Sequence, residues 1–298
     1  MPLVQRVISL LQLARPATVS ILLILPLAST DSSRTGRDPT LAGAGDIASC
    51  DSSGDERTAR LLDDIPGAVF TVGDNAYRSE DVEKPFDECY ETSWGRHRAR
   101  THPVPGNHEY EDGDIDSYFD YFGRAAGERG KGYYSYQLGE WHIIALNSML
   151  DATPDSPQGK WLANDLAKHQ ARCTLAYFHH PRFSSGPHGR RQSAVDLWTA
   201  LSRAGVDVVV NGHDHIYERF GPMTENGDRD NENGMREFIV GTGGDSHYDI
   251  ENAATHSEVR NDDTYGVLLL TLHDDSYDWR FTPVRDRTFS DYGTGGCH

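Results

Sequence analysis

Apolar positions along this chain follow two rhythms: short, nearly unbroken runs of strand length, and longer stretches with an apolar residue at every third or fourth position. The first rhythm predicts buried strands and the second amphipathic helices. Leu41 to Asp46 reads as a strand, and Asp55 to Ile65, with Ala59, Leu62 and Ile65 on one face, as the helix after it. Ala68 to Val72 is the next strand, followed by a polar, helical stretch through Trp94. Thr101 to Pro105 reads as an edge or irregular strand, because prolines at 103 and 105 cannot donate to a sheet ladder. Asp116 to Phe122 is a helix whose Tyr and Phe residues read as core. Tyr133 to Leu138 and Trp141 to Asn147 form a hairpin around Gly139-Glu140.

Gln158 to His169 has Trp161, Leu162, Asp165 and Leu166 at helical spacing, and Cys173 to Phe178 is a buried strand. Val195 to Ala204 is helical, Val206 to Val210 and Arg236 to Val240 are strands, and Tyr265 to Leu272 with Tyr277 to Thr282 closes the chain as an antiparallel pair. Strands and helices alternate in the middle while hairpins occur near 133–147 and 265–282. That order favours an α/β fold, a layered sandwich with mixed sheets, over a purely parallel one. No repeat of solenoid length is present.

Five predicted strands run into segments that carry chemistry: Gly45-Asp46, Gly73-Asp74-Asn75-Ala76-Tyr77, Gly106-Asn107-His108-Glu109, His179-His180-Pro181, and Asn211-Gly212-His213-Asp214-His215-Ile216-Tyr217-Glu218-Arg219. Each has an ordinary reading by itself. An aspartate after a strand caps a helix, Asn-His occupies a turn, and a histidine pair is hydrogen-bonded structure. Together they place carboxylates, an amide and imidazoles in loops beyond the carboxyl ends of strands, where α/β folds collect their sites. That is a metal-ligand pattern.

In these motifs, which span residues 45 to 219, the sequence resembles the calcineurin-like metallophosphoesterases and, within them, the purple acid phosphatases. The likeness extends to Phe238-Ile239-Val240-Gly241-Thr242-Gly243-Gly244. Many members of the superfamily begin with Asp-x-His. Here Ala48 stands two residues after Asp46, where purple acid phosphatases usually have glycine, and Tyr77 would replace the missing histidine. The resemblance implies an α/β/β/α sandwich with two mixed sheets. It implies one metal held by Asp46, Asp74, Tyr77 and His215, and another held by Asp74, Asn107, His179 and His213, with Asp74 bridging.

A phenolate is a hard anionic ligand suited to Fe(III), and imidazole accepts a divalent Zn, Fe or Mn ion at the other position. Two such metals about 3.5–4 Å apart clamp a phosphate and generate hydroxide for direct attack, without a phosphoenzyme. The implied substrate is a small phosphate ester, a monoester first, with a phosphodiesterase or nucleotidase on the same site as the alternative. A fold kept only for recognition is the non-enzymatic alternative. His108 resembles the histidine that contacts phosphate or protonates the leaving oxygen. His188, nine residues after His179, could assist, and His180 is a weaker candidate. Tyr217, Glu218 and Arg219 read as support behind the site.

Charge and composition narrow the setting. The formal net charge of −18 disfavours duplex nucleic acid and anionic membranes as partners. With 298 residues, one catalytic domain is the default. Residues 1–30 place Arg6 and Arg15 ahead of the apolar run Ala17 to Leu27 and the small residues Ala28, Ser29 and Thr30. This reads as a signal peptide, too short and too interrupted at Pro26 to be a stable membrane anchor, and 31–40 reads as a linker before a catalytic domain at 41–298. A secreted or periplasmic location follows. Four cysteines then permit two disulfides, and Cys50 with Cys89 and Cys173 with Cys297 is the favoured pairing because each ties a loop or tail to nearby framework. Asp228-x-Asp230-x-Glu232 approaches a calcium loop but has Asn233 where that loop needs glycine, so it reads as a solvated acidic loop. Composition leaves the oligomeric state open.

Overall fold

A computed structural model describes residues 38–111, 115–188 and 191–298, so the leader expected at 1–30 and most of the expected linker lie outside the described residues. In chain order the elements are β1 (Thr40–Ala44), α1 (Gly54–Asp64), β2 (Ala68–Val72), β3 (Thr101–Val104), α2 (Asn107–Glu111), α3 (Ile115–Phe122), β4 (Tyr134–Leu138), β5 (Trp141–Ala145), α4 (Pro157–Lys168), β6 (Cys173–Tyr177), α5 (Gln192–Arg203), β7 (Val208–Asn211), β8 (Tyr217–Phe220), β9 (Arg236–Val240), β10 (Ser257–Asn261), β11 (Gly266–Leu272), β12 (Ser276–Pro283) and β13 (Tyr292–Gly296). The linker gives way to β1 at Thr40, one residue earlier than expected. The polar stretch before β3 resolves into two short helical turns, Phe86–Tyr90 and Trp94–Arg100.

Two mixed sheets result, in the orders β13-β12-β11-β1-β2-β3 and β10-β8-β9-β7-β6-β5-β4. The strands β1, β2 and β3 are mutually parallel, as are β5, β6, β7 and β9, while the flanking strands pair antiparallel. The proline-bearing β3 lies at a sheet edge, where its missing N–H groups cost nothing. Face-to-face packing of the sheets is visible in ring pairs that cross between them, Phe70 with Tyr177 at 5.7 Å and Phe238 with Trp279 at 5.8 Å. The side-chain period of two sorts β7 accordingly. Val208 and Val210 join the core shared by both sheets, while Val209 packs with Leu197, Trp198 and Leu201 of α5 in a second core. Burial on both faces is why these strands read as continuous apolar runs. Among the described residues, no helix is long and apolar enough to cross a membrane.

Three strands escape the apolar pattern. β8 sits inside the motif read as a loop, and its Tyr217 hydroxyl and Arg219 guanidinium both donate to Asp291. β10 alternates between half-buried and exposed residues at a sheet edge. β13 is Tyr-Gly-Thr-Gly-Gly, where side-chain patterns vanish. The first of its three glycines has a packing cause: a Cβ on Gly293 would lie 2.3 Å from the Trp279 ring of β12. In the acidic loop, Asp230 Oδ1 accepts from the backbone N–H groups of Glu232 and Asn233, closing a turn.

Cys50 pairs with Cys89 and Cys173 with Cys297. The second bond fastens the carboxyl-terminal tail to β6 across 124 residues of sequence. Replacing both Cys173 and Cys297 with alanine is expected to lower unfolding stability by about 2–4 kcal/mol through the greater freedom of the unfolded chain. A denaturant midpoint that stays in place at constant slope would refute this.

Candidate metal centre

The parallel strands of both sheets end on one side, and their following loops converge there. Asp46 follows β1, Asp74 follows β2 and His213 follows β7. All three adopt left-handed backbone conformations, with φ of 59°, 47° and 71°. Such conformations are uncommon for residues other than glycine and cost about 1–3 kcal/mol each, so the surrounding structure must hold them in place. Hydrogen bonds across strand ends do this. The Asp46 N–H donates to Gly73 O, the Ile47 N–H to Asp74 O, and the Tyr77 N–H to Ala48 O, which zips the first two loops together and aims the Tyr77 ring inward. Gly106, after β3, has a packing reason of its own: a Cβ there would lie 2.2 Å from Asp74 Oδ1.

Tyr77 Oη lies 3.3 Å from Asp46 Oδ1 and 3.2 Å from His215 Nε2, and the latter lies 3.3 Å from Asp46 Oδ1. His179 Nε2 lies 3.1 Å from Asp74 Oδ2 and 3.0 Å from Asn107 Oδ1. Donor atoms of Asp46, Asp74 and His179 fall within 4.8 Å of one another, as do ring nitrogens of His179, His180 and His213. All seven residues expected as metal ligands therefore fall in one cluster of side chains, largely buried, with Tyr77 and His213 half-buried. His108 sits at its edge, half-buried, with its backbone N–H donating to Asp74 Oδ1 and its ring 4.6 Å from that of Tyr77. His188 is held by Asp214 Oδ1 at 2.8 Å, and its ring lies 4.4 Å from that of His213. Its side chain is 40% exposed, so it borders the cluster from the solvent side.

The donor set fits bound cations. His179 Nδ1 lies 2.8 Å from Val72 O, which requires the proton on Nδ1 and leaves the Nε2 lone pair facing Asp74 and Asn107. His215 is oriented the same way by Ser246 Oγ on its Nδ1. Burial would raise the Asp74 carboxyl, yet the neighbouring His179 and His108 hold it well below the usual carboxylate range. Conversely, burial disfavours charge on His179, but Asp74 and Asp46 pull it up to about 9. His213, buried beside that imidazole, is pushed down to about 2. The Tyr77 phenol is raised far above its ordinary value by burial and by Asp46 and Asp74. Left to the protein's own charges, one imidazole proton carries the burden of two buried carboxylates, the situation a multivalent cation relieves.

Other residues support these and were not singled out by sequence. Glu109, 1% exposed, accepts from the backbone N–H groups of Asp74, Asn75 and Gly106. Asp214 steadies His188, and Tyr248 stacks on His215 at 4.1 Å with the rings 15° apart. Glu109 and Asp214 stand within the motifs and could have been questioned there. Ser246 and Tyr248 lie some thirty residues beyond His215 and carry no local signal.

A sequence profile of the calcineurin-like phosphoesterase family matches residues 39–217. Purple acid phosphatase 15 of Arabidopsis thaliana is 30% identical over 227 residues, covering 64% of this chain and 42% of that protein. A nucleotide pyrophosphatase/phosphodiesterase of Hordeum vulgare is 24% identical over 282 residues, covering 78% of this chain and 73% of that one. Among solved structures, the purple acid phosphatase PPD1 of yellow lupin (Lupinus luteus) superposes with a TM-score of 0.68 at 22% identity, covering 87% of this chain and 53% of that one, and so shares the fold. The chain spans less than half the length of the first Arabidopsis relatives it matches. With its two mixed sheets, its converging strand ends and this profile match, the chain belongs to the calcineurin-like phosphoesterase family, and it is similar there to purple acid phosphatases.

Proposed function

We propose that this chain is a secreted dinuclear-metal phosphatase that hydrolyses small phosphate monoesters directly. The observation that carries the reading is the convergence of Asp46, Asp74 and His179 within 4.8 Å in the largely buried cluster that also holds Tyr77 and His215. Asp46, Tyr77 and His215 would hold one ion, Asn107, His179 and His213 the other, and Asp74 both. When bound, such a pair supplies Lewis acidity toward phosphate oxygens and activates water at neutral pH. His108, its ring beside Tyr77 at the edge of the cluster, would hand a proton to the leaving oxygen, and Asp214 would orient His188 for a phosphate oxygen on the exposed side. The purified chain is expected to carry two metal ions and to turn over an aryl phosphate. Failure of either overturns the reading.

Tyr77 makes the metal assignment specific. With Fe(III) beside it and a divalent Zn, Fe or Mn ion at the other position, the protein is expected to show a visible phenolate-to-iron band. Tyr77→Phe abolishes that band while keeping the ring packed against His108. A colourless yet active wild type would instead mean two divalent ions.

The Hordeum relative, which aligns with the larger share of both chains, favours a second reading of the same site as a phosphodiesterase or nucleotidase. A panel of aryl monoesters, aryl diesters and nucleotides decides between them by kcat/KM, and the leading reading expects the monoester to be preferred.

A further inference from the structure

We propose that His142, Asp165 and His169 form a separate mononuclear site for a divalent transition-metal ion, with Zn(II) as the fitting occupant. His142 is the second residue of β5 and so lies near its amino end, whereas the first centre gathers beyond the carboxyl ends of the strands. Its face of β5 is also the outer one: Ile143 joins the core between the sheets, and Ile144 packs with Leu162 of α4. Asp165 projects from α4, and His169 is the residue that ends that helix.

The spacing is that of ligands. His142 Nε2 lies 2.9 Å from Asp165 Oδ2, and His169 Nδ1 lies 3.2 Å from Asp165 Oδ1 and 3.0 Å from the Asp165 backbone carbonyl oxygen, a bond that a metal on Nδ1 would have to displace. One donor atom from each residue falls within 4.8 Å of the others. Neighbouring donors in the first centre are separated by similar distances, 3.0–3.3 Å.

Direction separates a metal site from a hydrogen-bonded strut. Although 2.9 Å apart, His142 Nε2 and Asp165 Oδ2 do not meet at good hydrogen-bond angles, so the two buried atoms are joined by charge alone when the ring is protonated. Buried polar atoms left unmade in this way cost about 1–3 kcal/mol each, and native proteins keep few of them. His142 is 1% exposed and Asp165 8%, so bulk water does not satisfy them. A cation between the two atoms does.

Ser135 Oγ donates to Asp165 Oδ1 at 2.7 Å, which fixes the carboxylate and leaves Oδ2 as the ligand oxygen, the usual task of a residue behind a metal ligand. The His169 side chain is 48% exposed and provides both the entry path and a face on which water completes the coordination. Two imidazoles and one carboxylate suit zinc. Bound there, the ion ties the end of α4 to β5.

The test measures zinc per chain in the full protein equilibrated with Zn(II), wild type against His169→Ala, since His169 is exposed and outside the catalytic centre. The wild type is expected to hold one more ion per chain than the variant, and to gain more thermal stability from added zinc than the variant gains. Aryl phosphate turnover stays the same in both. Removing the ligand is expected to weaken this ion by more than the roughly 10–100-fold that loss of an outer partner costs, the loss expected for Ser135→Ala. His169→Asp, which restores a ligand atom, is expected to recover the extra ion and guards against a folding defect in the alanine variant. Equal zinc content in wild type and His169→Ala overturns the proposal, as does a zinc-dependent stabilisation equally large in both, since zinc at the first centre stabilises either protein.

Discussion

Asp74→Asn is expected to lower kcat/KM for an aryl phosphate by on the order of 10³-fold or more and to reduce the metal content of the chain. The magnitude follows from the several kcal/mol that a metal pair contributes to the transition state, at 1.36 kcal/mol per factor of ten. Asparagine is a sharper probe than alanine. Asp74 sits at φ 47°, a region asparagine tolerates and alanine resists, so alanine would mix backbone strain with lost chemistry. The amide can still accept the His108 backbone N–H through its oxygen, as Asp74 Oδ1 does at 2.9 Å. What it removes is the charge and the second anionic oxygen that faces His179 Nε2. A variant with wild-type turnover and two bound metals would end the bridging assignment. One with wild-type turnover per bound metal pair but little metal would limit Asp74 to recruitment.

Much of this centre could be read from the chain because its parts are local. Each of Asp46, Asp74, His179 and His213 stands just beyond the end of an apolar strand, and Asn107 beyond the irregular β3, so a strand prediction also places the residues that follow it. Burial of β2 and β6 on both faces made those runs unmistakable, whereas the exposed alternation of β10 and the glycines of β13 left nothing for periodicity to find. Partners set by tertiary packing were hidden for a related reason. Nothing near Tyr248 announces that its ring will stack on His215, and nothing near His142 announces that a turn of α4 will bring Asp165 to within 2.9 Å. Both meetings depend on how a loop or helix lies over a sheet. Strand-end chemistry is legible one segment at a time, and packing between segments is not.

Glu109→Ala is expected to cost about 3–5 kcal/mol of stability, the range for breaking a buried charged network, although the residue is absent from the ligand set. Its Oε2 accepts from Asp74 N–H at 3.1 Å and Gly106 N–H at 2.6 Å, and its Oε1 accepts from Asn75 N–H at 2.7 Å and Asn75 Nδ2 at 3.2 Å. The loops after β2 and β3 are thus clamped by one carboxylate, and alanine would leave four donors facing a cavity. Burial, with Asp74 nearby, pushes the Glu109 carboxyl up to about 7, even though the Gly106 and Asn75 donors pull the other way. Glu109→Gln separates clamp from charge. It keeps one acceptor but sets an NH₂ group against two N–H donors, so an intermediate loss is expected. Urea midpoints for the three proteins give the ranking, wild type above Gln above Ala. Because the same clamp fixes the backbone of Asp74, turnover measured well below each midpoint should also fall in that order. Full stability in the alanine variant would mean that the strand-end loops hold their left-handed conformations without Glu109, and would leave those conformations to the ladder between Asp46, Gly73 and Ala48 alone.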